Sequence, residues 1–294
     1  MHRLFAALFL AAIAVPAGAV HAAPIGADVL FVVDESGSMV GEHAFLSDVI
    51  GDLDSELAAA GVPTRRYSLT GFGASASSAL PRDISGGFVS ATEFAAATGT
   101  LVTSGGIEDG YAGMDFAFDT LALNPEHAVN VILVTDEDRD TLSGFADTTF
   151  DTLLSRLQGV GALLNAVVNA RLEDDTGMSA LGIDSEGNAF VPDGAGGFTV
   201  SPGGTAVSGF GTTIEDYVDL ALASGGAAWD LNQLRAGGLL AQSFSNAFVD
   251  IKVQEITQTP GGPTAPAVPE PATLLILGGG LGGLGLAIRR RRTG

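Results

Sequence analysis

Asp34, Ser36 and Ser38 stand at alternate positions directly after the apolar run Val29-Leu30-Phe31-Val32-Val33. One carboxylate and two hydroxyls on a loop leaving a buried strand present three oxygens to one point. A hard divalent cation such as Mg²⁺ takes oxygen ligands of this kind in an octahedral shell. A second acidic strand end lies far downstream, where the apolar run Val129 to Val134 stops at Thr135-Asp136. Taken singly, Asp34 and Asp136 also suit helix N-caps or turns after strands, and the serines suit ordinary loop hydroxyls. Their joint occurrence at two strand ends is what points to a cation.

The elements that must position these oxygens alternate along the chain. Asp28 to Val33 reads as a buried strand. Phe45, Leu46, Val49, Ile50, Leu53 and Leu57 then recur at helical spacing, and Gly61-Val62-Pro63 ends that helix. Tyr67 to Phe72 reads as a second strand and Gly87 to Val89 as a short edge strand. Tyr111, Met114, Phe118 and Leu121 mark a helical face, Val129 to Val134 a strand, Phe150 to Leu157 a helix and Leu163 to Ala170 a further strand. Thr213 to Ala223 is expected as a helix, Ala227 to Leu231 as a short last strand with Trp229 packed at its end, and Leu239 to about Val253 as the closing helix. Apolar strands separated by amphipathic helices predict an α/β fold, a doubly wound, mostly parallel sheet with helices on both faces. Ligands of such sheets bind beyond the carboxyl ends of strands where the winding reverses. Residues 173–211, rich in Gly, Asp, Ser and Pro, interrupt the pattern as a loop insertion, with a hairpin expected over Gly182 to Pro192. Asp184, Glu186 and Asn188 alternate there like a calcium loop. Gly187 and the lack of a downstream Glu spoil the match, which leaves a solvated loop.

The Asp34-Glu35-Ser36-Gly37-Ser38 stretch resembles the D-x-S-x-S metal-binding loop of von Willebrand factor type A domains. That resemblance implies a doubly wound sheet with the first and fourth strands adjacent, and a metal-ion-dependent adhesion site. Asp34, Ser36 and Ser38 match its first loop, with the serines binding metal directly and Asp34 acting mainly through water and hydrogen bonds. Asp136 matches its second acidic position. The family places a threonine on the middle loop. Here the corresponding stretch is Thr103-Ser104-Gly105-Gly106-Ile107-Glu108-Asp109-Gly110, which puts Ile107 in that place. Glu108 or Asp109 could supply the oxygen, or Thr103 with a shifted loop. The implied ion is Mg²⁺, or Mn²⁺ or Ca²⁺. Uncharged direct ligands leave such an ion electrophilic, so that an acidic group on a partner completes its shell, whereas an added carboxylate weakens that attraction. Glu137, Asp138 and Asp140 crowd the same rim as solvated acids that could repel anionic partners. Glu42 suits the dipole at its helix start, and neither it nor His43 is assigned chemistry.

Both ends carry sorting signals. His2 and Arg3, the apolar stretch Leu4 to Val15, and Val20-His21-Ala22 form a secretory signal peptide over residues 1–22. The type A domain is expected over 26–255 and a Pro-rich linker over 256–268. From 269 to 294, Pro269-Glu270-Pro271, an apolar and glycine-rich stretch from Ala272 to Ile288, and Arg289 to Arg292 follow in order. This tail resembles the PEP-CTERM sorting signal. The resemblance implies export through the inner membrane of a Gram-negative bacterium, transient anchoring by a C-terminal transmembrane helix, cleavage by an exosortase-type membrane enzyme, and delivery to the cell surface or extracellular matrix. The arginines suit a cytoplasmic end. A permanent anchor is the other reading. Gly278, Gly280 and Gly283 spell a dinucleotide-site pattern, but inside an apolar span rather than a βαβ unit.

Composition narrows the partners. The 294 residues carry 13 basic and 34 acidic side chains. Loss of Arg3 and Arg289 to Arg292 makes the processed chain more acidic still. That balance excludes nucleic acid and anionic membrane surfaces as partners, leaving membrane contact to the C-terminal helix before processing. There is no cysteine, which rules out thiol catalysis and iron–sulfur clusters, and four histidines leave little for a histidine-rich metal site. No G-x-S-x-G, H-E-x-x-H or P-loop occurs, and Asp34, Ser36 and His43 do not make a triad without a strained nucleophile turn and a dry pocket. The expected function is therefore non-enzymatic: a divalent-metal-dependent, adhesion-type module engaging a protein or polysaccharide of the envelope, matrix or biofilm. The alternative is a structural matrix protein whose ion only stabilises the loops.

Overall fold

The computed structural model describes residues 26–258. The signal peptide, residues 259–268 of the linker and the tail with its expected membrane helix lie outside the described residues. Among those described, no helix is long and apolar enough to cross a membrane.

The chain enters as β1 (Gly26–Asp34), buried at all nine positions. It continues through α1 (Glu42–Ala59), β2 (Thr64–Phe72), β3 (Arg82–Asp83), α2 (Ala91–Thr98), α3 (Gly110–Thr120), β4 (His127–Val134), α4 (Phe150–Gly159) and β5 (Ala162–Val168). Short strands follow: β6 (Ala170–Glu173), β7 (Ser179–Ala180), β8 (Gly182–Asp184), β9 (Asn188–Pro192), β10 (Phe198–Pro202) and β11 (Thr205–Gly209). Ile214–Val218 winds with π-type turns into α5 (Asp219–Ala223), and β12 (Ala227–Asp230), α6 (Leu231–Arg235) and α7 (Gly238–Gln258) complete the domain.

Nine strands form one sheet in the order β10-β9-β8-β12-β5-β4-β1-β2-β3, and β11-β6-β7 form a second. The five central strands are parallel, as the α/β reading requires, and β1 lies between β2 and β4. This adjacency of the first and fourth strands is the one the type A resemblance implies. β1 alternates between two cores. Val29, Phe31 and Val33 join Leu46, Leu53, Phe94, Phe244 and Phe248 under α1, α2 and α7. Leu30 and Val32 join Phe72, Met114, Leu153 and Tyr217 under α3, α4 and α5. Gly113 lets α3 approach closely, since a Cβ there would stand 2.7 Å from Val32.

Two expectations are corrected. The edge strand is Arg82–Asp83, not Gly87 to Val89; Val89 makes only one bridge, to Tyr67. Residues 173–211 are not merely a solvated loop, because β8, β9 and β10 extend the main sheet antiparallel beyond β12. The Asp184 alternation serves the expected hairpin: its carboxylate accepts the Glu186 and Asn188 N–H groups, both at 2.9 Å, and the Asn188 amide. Trp229, placed at a strand end by the sequence reading, is fully buried, stacks on Phe190 of the insertion at 5.4 Å and donates to Asn165.

The hydrophobic spacing does not announce α2, yet its start carries a capping box. Ser90 Oγ accepts from the Glu93 N–H, and Glu93 returns a carboxylate oxygen to the Ser90 N–H at 2.9 Å. Ser90→Ala is expected to cost about 1 kcal/mol of unfolding free energy in urea titrations.

Candidate metal centre

The register of β1 on β4 pairs Val33 with Val134, so the next residues, Asp34 and Thr135, leave the sheet side by side. Asp34 Oδ1 accepts the Ser36 N–H at 2.7 Å and Oδ2 accepts the Thr135 hydroxyl at 3.0 Å. The Ser36 and Ser38 hydroxyls lie 2.9 Å apart, and Ser38 Oγ donates to Asp136 Oδ1 at 2.8 Å. Four residues singled out on two distant loops thus meet in one hydrogen-bonded cluster. His43 Nε2 lies 2.8 Å from the Asp34 carbonyl oxygen, a contact that orders the loop.

The middle loop is pressed onto this cluster through backbone. The Ser104 N–H donates to the Glu35 carbonyl at 2.9 Å and the Gly37 N–H to that of Gly105 at 3.3 Å. Only glycine fits at 105, where φ is +152° and a Cβ would stand 1.9 Å from the Gly73 carbonyl oxygen. Glu108 is delivered as a result. Oxygens of Asp34, Glu108 and Asp136 all lie within 4.8 Å of one another, and all three residues are buried. Glu108 is 2% exposed, and its Oε2 has no hydrogen-bond partner among the described residues.

The other two middle-loop candidates are placed differently. Asp109 caps α3, accepting from Ala112 at 3.1 Å, and its carboxylate is further engaged by Arg139 at 2.7 Å and the Leu142 N–H at 2.9 Å. Thr103 is exposed. Ile107, where the resemblance places threonine, is half exposed.

Electrostatics make the cluster uncomfortable without a cation. Two full charges at this separation repel by roughly 3 kcal/mol at an effective dielectric constant near 20. Burial pushes the Asp34 carboxyl up to about 6, against the opposing hydrogen bonds from Ser36 and Thr135 and with added repulsion from Asp136. Burial, then the Asp34 and Glu137 charges, push Glu108 up to about 8. Glu137 is raised by burial and by its acidic neighbours Asp136, Asp140 and Asp138.

One participant escaped the sequence reading. Arg235, in α6 after the last parallel strand, donates from Nη2 to Asp136 Oδ2 at 2.8 Å and from Nε to Glu42 Oε1 at 2.6 Å. Glu42 therefore does more than suit a helix end. Arg235 thus pairs with two of the carboxylates and leaves Asp34 and Glu108 in no ion pair among the described residues, a negative charge that suits a divalent ion. The available signal was scarcity: only eight basic residues fall within the described region, and all eight are in ion pairs.

Residues 267–292 match the PEP-CTERM protein-sorting motif, which marks an exported, surface-sorted protein of Gram-negative bacteria. No curated protein matches the chain in sequence. Among solved structures, the chain is similar to proximal thread matrix protein 1 from the mussel byssus, at 17% identity and a TM-score of 0.38 over 51% of this chain and 38% of that one. It is similar to the pilus adhesin SpaC from Lactobacillus rhamnosus GG at 18% identity and a TM-score of 0.36, over 49% and 24%. The SpRpn10 VWA domain is 12% identical with a TM-score of 0.36, over 49% and 74%. The chain thus spans 38% and 24% of the lengths of the mussel protein and the adhesin.

Proposed function

We propose that the domain is a surface-sorted binding module that holds a divalent cation at Asp34, Glu108, Asp136, Ser36 and Ser38 and uses it to engage a component of the envelope, matrix or biofilm. The observation that carries this reading is the convergence of three buried carboxylates with one Glu108 oxygen left without a partner. An all-oxygen donor set suits Mg²⁺, Mn²⁺ or Ca²⁺ rather than a soft metal. A bound ion would neutralise the carboxylates and offer a coordination point to a ligand. The chain's own part is to orient Asp34 through Ser36 and Thr135, and to balance Asp136 with Arg235. Calorimetric titration of residues 23–268 with each of the three ions is expected to show one site and a raised melting temperature. Absence of both effects with all three ions would remove the cation from this reading.

A second reading is favoured by Glu108 itself. A third carboxylate cancels the ion's positive charge, which weakens its pull on an acidic partner and suits an ion that only stabilises the loops of a matrix protein. Partner capture separates the two. Capture that requires Mg²⁺ and is lost in a folded Asp34→Ala variant supports the binding module; unchanged capture supports the structural role.

For the tail, exosortase-type processing is expected to leave an exported protein lacking Arg289 to Arg292. Mass spectrometry of the protein recovered from the cell surface checks this, and an intact Arg292 would refute cleavage.

A further inference from the structure

β10 forms one end of the nine-stranded sheet and pairs only with β9. The Phe190 carbonyl accepts the Leu181 N–H at 2.7 Å, so the peptide groups of Phe190 face β8. Those of Ala189 and Val191 then face β10, where they meet Ser201 and Thr199. Phe198 and Val200 consequently turn their N–H and C=O groups outward. On the same outer side, Asn246 Nδ2 donates to the Gly196 carbonyl at 2.8 Å and the Asp175 N–H to that of Pro202 at 3.2 Å. Between these two contacts the edge is open among the described residues. It bears no charge, and Val200 is 60% exposed. Edge strands are ordinarily guarded by lysines, prolines, bulges or a covering element; β10 has a proline only at its end, Pro202.

Two clefts flank this edge and share Phe198. One, of about 560 Å³, lies against α1 and α7 and is lined by Asp52, Glu56, Asp193 and Asp250. The other, of about 410 Å³, lies against the end of α7 and is lined by Asp184 and Glu186, beside Glu255, which is held by the buried Lys252 at 2.7 Å. No Lys or Arg lines either cleft.

We propose that the β10 edge takes up an extended polypeptide segment of another protein, bearing Lys or Arg on alternate residues, as an added strand whose basic side chains enter the two acidic clefts. Main-chain hydrogen bonds to Phe198 and Val200 give the segment its place, and the carboxylates select its charge. Pairing of β10 with β10 of a second copy brings the same carboxylates together and is disfavoured. The surface is separate from the metal centre, which lies at the carboxyl ends of β1 and β4, so binding is expected both in chelator and in excess Mg²⁺.

The test uses the full chain, with an eight-residue peptide alternating Lys and Val as probe and one alternating Glu and Val as control. Hydrogen–deuterium exchange is expected to slow about tenfold or more at Phe198 and Val200 on saturation with the Lys peptide. Affinity by fluorescence anisotropy is expected to fall with salt. Val200→Pro removes an outward N–H without touching the β9 ladder, and is expected to weaken binding about tenfold or more. Asp250→Lys with Glu56→Lys gives an independent reduction should the proline variant not fold. Unchanged exchange at saturation, equal binding of the Glu peptide, or full affinity in every folded variant overturns the proposal. So does an edge already protected in the free chain and exposed by deleting residues 259–294, which would make the chain's own tail the occupant.

Discussion

Asp34→Ala combined with Asp136→Ala is expected to abolish divalent-cation binding, and Ser38→Ala alone to weaken it about tenfold, when the three proteins are titrated by calorimetry with Mg²⁺, Mn²⁺ and Ca²⁺. The two aspartates sit at the ends of neighbouring parallel strands, and each is tied to a serine of the first loop. Removing both takes away two of three charges and leaves Glu108 to face hydroxyls. The loss is expected to exceed about a hundredfold, since charged oxygen ligands dominate the binding of hard cations. In chelator the relief of repulsion among buried carboxylates offsets the hydrogen bonds lost to Ser36, Thr135 and Arg235, and the double variant should still unfold cooperatively. That pairing of outcomes separates a lost site from a lost fold. A double variant that retains an affinity within threefold of the parent would sink the assignment.

The second large effect is a pH dependence that disappears when the cation is added. In chelator, the folded chain holds protons on Glu108 up to about pH 8 and on Asp34 up to about pH 6, whereas the unfolded chain releases them near pH 4. Between those limits the folded state binds more protons, so stability falls as pH rises. These two groups contribute fully below about pH 4, and their contribution is lost by about pH 8. The expected loss is several kcal/mol, measured by urea unfolding at stepped pH. A saturating divalent ion binds the ionised carboxylates, so the loss disappears and ion affinity rises across the same window. Glu108→Gln should flatten the metal-free profile above pH 6 and weaken ion binding about tenfold or more. A parent profile in chelator that stays flat from pH 5 to pH 8 would contradict the electrostatics described here.

Glu108 illustrates where sequence reasoning stopped. Thr103, Glu108 and Asp109 all offer oxygen within one short stretch, and no local rule ranks them. Asp109 is taken by Arg139, thirty positions away, and by the cap of α3. Glu108 is left facing Asp34 because Gly105 packs against Gly73 on a separate loop. Arg235 was invisible for the same reason, since it reaches Asp136 across 99 positions. The insertion looked like a loop because its strands are only two to five residues long. α2 is a different case: Ser90 and Glu93 advertised a helix start that the apolar spacing did not.

Read alone, the chain determined its periodicities, its turns and its oxygen-bearing strand end. These depend on side-chain type and on neighbours a few residues away, which is enough to specify an apolar run such as Val29 to Val33, a helical face in α1, and the alternation of Asp34, Ser36 and Ser38. The tertiary structure alone decided which acids meet, which arginine balances them, and which sheet edge stays open. Those outcomes depend on strand order and on backbone contacts between loops far apart in sequence, and burial then turns the resulting proximity of like charges into raised carboxyl pKa values.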